Sequence, residues 1–116
     1  MLIAASIVFA LAAVLGIVLA TLHRQRRGAP IPLALFHGAL AGSGIVLLIL
    51  AVGDLARTGL VISLVLFVLA AVGGFVLFAR HLGHRPLPML LIGGHGLIAA
   101  ISLVILLVMT FRPAAA

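Results

Sequence analysis

The chain has 116 residues, 66% of them hydrophobic and 7% charged. Soluble domains carry roughly 25% charged residues, so this composition excludes a water-soluble globular domain. The formal net charge of +6 reflects membrane topology and contact with anionic headgroups and does not point to nucleic acid; the absence of cysteine excludes disulfides, thiolate metal sites and covalent c-type haem attachment.

Four apolar runs follow one another along the chain. Runs of about 20 residues read as bilayer-spanning helices, since a helix rising 1.5 Å per residue then crosses about 30 Å of hydrocarbon. The first run is Leu2 to Leu22, followed by "HRQRRG". A secretory signal has its positive charges ahead of a shorter apolar core, so this run is expected to be a retained helix. The second run is Leu33 to Val52, and the connection after it holds Asp54 and Arg57. The third is Leu60 to Ala79, with Arg80 and Arg85 following. The fourth is Met89 to Phe111, followed by Arg112. The expected fold is all-α: a four-transmembrane-helix bundle in a single integral membrane domain, residues 1–116.

The arginines predict orientation. Arg24, Arg26, Arg27, Arg80 and Arg85 lie in the first and third connections, whereas Arg57 and Arg112 fall on the other side. Positive residues favour the cytoplasmic face. Both termini are therefore expected outside the cytoplasm, in a membrane such as the bacterial inner membrane.

The chain also matches itself when shifted by half its length. Of 58 aligned positions, 19 are identical. Phe9 falls on Phe67, Gly16 on Gly74, and "LAAV" at Leu11 to Val14 on the same letters at Leu69 to Val72. His23 falls on His81, Arg27 on Arg85, Pro30 on Pro88, His37 on His95 and Gly38 on Gly96. An apolar background does not produce the histidine, arginine and proline matches. The chain is a tandem repeat of units 1–58 and 59–116. Each unit is a helical hairpin crossing in the same direction, so the repeats are parallel, related by a pseudo-two-fold axis along the membrane normal. Packed together they make an up-down-up-down bundle. Small residues mark the expected helix contacts: Gly16, Gly74, the Gly38/Gly42 pair and the Gly96/Ala100 pair.

All five histidines lie on the arginine side. His23, His37, His81 and His95 are expected at one depth, whereas His84, whose repeat-mate is Arg26, is set aside as a loop residue. His23 and His81 stand at helix ends beside arginine, where interfacial histidine is ordinary. His37 and His95 lie inside apolar runs, where an ionisable group is costly and needs a partner. Four histidines suit zinc, but zinc sites orient their imidazoles through carboxylates or carbonyls, and the one acid, Asp54, lies at the opposite side. A haem asks for two neutral imidazoles across a flat macrocycle, glycine where the ring meets helix backbone, and cations near its carboxylates. His37 and His95 sit on diagonal helices. Gly38, Gly42 and Gly44 surround one, and Gly93, Gly94 and Gly96 the other. Arg24, Arg26, Arg27, Arg80 and Arg85 stand where propionates would emerge.

His-Gly on alternate helices of a small apolar bundle resembles the membrane b-type cytochromes, which hold haem between histidines of two helices. The resemblance covers chiefly the second and fourth helices. It departs in having histidine near one face only and no Trp or Tyr. It implies non-covalent, six-coordinate haem b with His37 and His95 as iron ligands. Gly38, Gly96, Arg27 and Arg85 would lie around it, and a second haem on His23 and His81 would be crowded. The implied activity is electron transfer, with a quinone or a redox protein as partner.

Small multidrug transporters have similar length and helix number, but they need an intramembrane carboxylate that these helices lack. Ser6, Ser43, Ser63 and Ser102 have no acid-oriented histidine beside them, so nucleophilic catalysis is not expected. The rival reading is a non-catalytic accessory subunit of a larger membrane complex, or a homo-oligomer. In that reading His37 and His95 bond across the bundle.

Overall fold

In a computed structural model describing residues 1–55 and 57–112, the chain forms four α-helices. They are α1 (Leu2–Arg24), α2 (Ile31–Leu55), α3 (Thr58–Leu82) and α4 (Met89–Phe111). Each is long and apolar enough to cross a membrane. Positions 113–116, the end of the second repeat unit, lie outside the described residues. The helices begin where sequence permits. Pro32 falls in the first turn of α2, where its missing N–H removes no helical bond, and Pro88 immediately precedes α4.

The bundle measures 51 × 23 × 19 Å. α1 packs against α2 and α4, and α3 packs against α4 and α2, leaving α1/α3 and α2/α4 as the two diagonals. The closest packing is within each hairpin. Two parallel tandem hairpins therefore build an all-α bundle, as the repeat predicts.

Both arginine-rich connections leave their helix by the same turn. The Arg27 N–H donates to Leu22 O at 3.0 Å, and the Arg85 N–H to Arg80 O at 2.9 Å. The residues before them, Arg26 and His84, are repeat-mates and adopt left-handed backbone, with φ of 56° and 54°. This is the helix-ending position at which glycine is the relaxed choice. A side chain there costs about 1 kcal/mol or more.

The core is gathered at the end opposite the arginines. Ala5, Phe9, Leu48, Leu60, Phe67 and Leu106 form it. Phe9 and Phe67 meet across the α1/α3 diagonal as parallel rings, centroids 3.6 Å apart and planes within 2°. Gly44 makes room for this stack: a Cβ there would lie 2.8 Å from Phe9. Its repeat-mate is Ser102, and the second hairpin is pinned differently. Ser63 donates to Ser102 O at 2.9 Å and Ser102 donates to Ser63 O at 2.6 Å. Such pairing matters because hydrocarbon offers no water to unsatisfied polar groups. Among the described residues, no buried side-chain nitrogen or oxygen lacks a hydrogen-bond partner.

The outer surface carries many exposed apolar side chains, including Leu90 at 89%, Phe75 at 75% and Phe111 at 72%. A water-exposed surface of this kind would aggregate, whereas a bilayer accommodates it.

The core account predicts a contrast between two glycines of α2. Gly44→Val forces Phe9 aside and costs about 1–3 kcal/mol, as overpacking does. Gly53→Val, at an exposed position where a Cβ meets nothing within 4 Å, changes stability by less than about 0.5 kcal/mol. Thermal unfolding in detergent measures both.

Candidate functional site

His37 lies in α2, but its ring leans onto α1. Its Nδ1–H donates to Ala12 O at 2.8 Å. His95 repeats this in the second hairpin, with Nδ1–H donating from α4 to Ala70 O in α3 at 2.7 Å. In both cases donor and acceptor are 25 residues apart. A carbonyl can only accept, so the proton sits on Nδ1. In the neutral ring Nε2 is left with a bare lone pair.

Glycine makes the approach possible. A Cβ on Gly16 would stand 3.0 Å from Cε1 of His37, and one on Gly74 would stand 3.1 Å from Cε1 of His95. Gly16 and Gly74 are each one turn beyond the accepting alanine. The repeated "LAAV" and the repeated glycine are thus two halves of one device: a carbonyl to receive the ring N–H and a gap to seat the ring. Gly16 and Gly74 do mark contacts, as the sequence suggested, but with the neighbouring histidine.

The two rings approach each other across the α2/α4 diagonal. Their centroids are 6.2 Å apart and their planes cross at 81°. Both rings line a cavity of about 530 Å³, within the range of about 300–1,000 Å³ usual for small-molecule sites. His23, His37, His81 and His95 all line it, as do Gly16, Gly74, Gly38 and Gly42. The four histidines that the repeat places at one depth therefore do share a space. They do not converge on a point. Among the described residues no group of three or more His, Asp or Glu side chains stands close enough to hold a metal ion.

Other sequence expectations change. Gly38 and Gly42 are not helix contacts, because a Cβ on either meets nothing within 4 Å; they form part of the cavity wall. Gly96, expected beside the site, is exposed on α4 and is not among the residues lining the cavity. A Cβ on Gly93, Gly94 or Gly96 also meets nothing within 4 Å. Gly44 serves Phe9 and not the cavity. The Gly96/Ala100 pair is exposed and does not mark a contact. Arg27 and Arg85 are exposed connection residues outside the cavity lining. The bonding between helices that the accessory reading asks of His37 and His95 is present, with each ring bonded to a backbone carbonyl of the neighbouring helix in its own hairpin.

Sequence reasoning did not single out Ala12, Ala70, Phe75 or Phe78. The first two act through backbone oxygen, which no side-chain pattern advertises. The two phenylalanines line the cavity, Phe75 at its open side with 75% of its surface exposed.

By distance alone, the two rings have the separation of two imidazoles sharing one ion. Metal–imidazole bonds run about 2.0–2.1 Å, and the ring centroid lies roughly 1 Å behind the bonding nitrogen, which places two such centroids roughly 6 Å apart. The observed 6.2 Å agrees. Metal-bound histidine also commonly donates its other ring N–H to a carbonyl or carboxylate, the arrangement seen at Ala12 and Ala70. Comparison with protein-family models, with curated proteins and with solved structures gave no match.

The seat predicts a hairpin-specific effect. Gly16→Val displaces the His37 ring and breaks its bond to Ala12, while His95 keeps its bond to Ala70. Ring-nitrogen NMR shifts report the Nδ1–H tautomer and should show the loss at His37 alone. The stability cost is about 1 kcal/mol, typical of a hydrogen bond between membrane helices.

Proposed function

We propose that this chain is a small membrane b-type cytochrome that holds one haem b non-covalently between His37 and His95 and serves in electron transfer. The observation that carries this is a pair of carbonyl-anchored imidazoles, centroids 6.2 Å apart across the diagonal of one cavity. When bound, the group supplies one-electron iron chemistry whose potential depends on its ligands and burial.

The chain's own residues have distinct tasks. His37 and His95 offer Nε2 as ligands without placing a charge in the apolar span. The Ala12 and Ala70 carbonyls fix tautomer and ring orientation, which lowers the freedom lost on ligation. Gly16 and Gly74 seat the rings. Gly38 and Gly42 leave α2 backbone open to a flat ligand. Phe75 and Phe78 help exclude water. His23 and His81, nearer the helix ends, line the outer part of the same cavity. Arg27 and Arg85, in the connections at that end, suit carboxylate groups. A quinone dissolved in the bilayer or a membrane redox protein is the fitting electron partner. The arginine-rich end faces the cytoplasm in this reading, with the N- and C-termini on the far side of a bacterial inner membrane.

A second reading is favoured by one feature. The ring N–H groups are already satisfied by backbone, so each histidine is able to lock its hairpin without a ligand. The chain would then be an accessory subunit of a larger membrane complex or a homo-oligomer.

A pyridine haemochrome on protein produced with ample haem separates the readings. Wild type should contain haem. His37→Ala and His95→Ala should each abolish the six-coordinate spectrum and lower haem content, while His23→Ala and His81→Ala have smaller effects. Absence of haem from wild type overturns the cytochrome reading in favour of the accessory one.

Orientation has its own test. A cysteine at Met1 should react with membrane-impermeant reagents in intact cells. Protection there, with reactivity only after lysis, would reverse the assigned sides.

A further inference from the structure

We propose that the basic pocket between the end of α1 and the start of α4 binds the headgroup of an acidic phospholipid. A second cavity, of about 350 Å³, lies there, lined by His23, Arg24, Arg26 and Met89. The chain's single acid, Asp54, is near the end of α2, at the opposite end of the bundle. Among the described residues, no acidic side chain therefore neutralises these basic groups. They stand where two spanning helices reach the membrane boundary, which is the depth of lipid phosphate. Basic pockets between spanning helices suit anionic headgroups, and arginine's planar fork matches phosphate oxygens in pairs. Met89, 54% exposed, offers an apolar lip for the start of an acyl chain.

Two further observations point to this pocket. The pseudo-two-fold does not reproduce it: the repeat-mates of Arg24, Arg26 and Met89 are Leu82, His84 and Ile31. The expected stoichiometry is therefore one lipid per chain. Arg26 also occupies left-handed backbone, φ 56°, where glycine would be relaxed. His84 has the same backbone in the second repeat, so the turn is shared and the guanidinium is what the first repeat adds.

The test uses the full chain reconstituted in mixed phosphatidylcholine and phosphatidylglycerol bilayers, then extracted for native mass spectrometry of retained lipids. Wild type should retain phosphatidylglycerol above its bulk share. An arginine in direct contact with the headgroup contributes about fivefold, so Arg24→Gln with Arg26→Gln should reduce the preference roughly thirtyfold. Arg80→Gln with Arg85→Gln, equal in charge change, should leave it within about twofold. Arg24→Lys with Arg26→Lys retains both charges and should retain most of the preference. No preference in wild type overturns the proposal. So does equal loss in the two Gln pairs, or loss in the Lys pair as large as in its Gln counterpart. Excess inorganic phosphate should leave the lipid bound; displacement would assign the pocket to a small free anion and overturn the lipid assignment. Adding haem should also leave the lipid bound; its release would assign the arginines to haem carboxylates, again against the proposal.

Discussion

An imidazole N–H inside hydrocarbon must find an acceptor, and in this bundle the acceptor is a helix carbonyl. Water is not available at that depth, and the spans hold no carboxylate there. A backbone oxygen is normally shielded by the side chains of its own helix. Glycine one turn further on removes that shield at Ala12 and again at Ala70. Once the bond is made, the ring has one tautomer and one orientation. Its second nitrogen then keeps a bare lone pair.

The rest of the bundle follows from an uneven division of packing. Near Asp54 the helices close on the Phe9/Phe67 stack, on Leu48, Leu60 and Leu106, and on the Ser63/Ser102 pair. Arg57 adds a strap there, donating to Met109 O at 2.9 Å in the last turn of α4. At the arginine end the helices carry glycine and histidine, and the space between them stays open. One end supplies rigidity and the other supplies room. A parallel duplication suits this division, because its axis brings identical residues together on both diagonals: phenylalanine with phenylalanine at the closed end, histidine with histidine at the open end.

Much of this was legible in the letters. Apolar runs gave four helices nearly to their observed ends, and the 58-residue shift gave two parallel hairpins with α2 and α4 diagonal. The shift also paired His37 with His95 and put four histidines around one space. The glycines were harder. Gly16, Gly38, Gly44 and Gly96 all sit in apolar helices and look alike in sequence, yet one seats a histidine, one lines the cavity, one seats a phenylalanine and one faces outward. The difference is helical phase and the identity of the neighbour across the interface, which a single sequence does not contain. The same limit hid Ala12 and Ala70. Their match in the repeat was visible, but their role belongs to backbone oxygen. Arg27 and Arg85 matched in the repeat as well, whereas the arginines that line a cavity are Arg24 and Arg26, which have no arginine as repeat-mate.

The central claim is that two carbonyl-anchored imidazoles with crossed planes face one iron. Electron paramagnetic resonance of the oxidised, haem-loaded chain reads this directly, since the signal depends on both the ligands and the angle between their planes. Rings crossed at 81° predict a low-spin spectrum of the strongly anisotropic kind given by perpendicular axial imidazoles. A high-spin spectrum, or failure of the purified chain to take up haem at all, would contradict it.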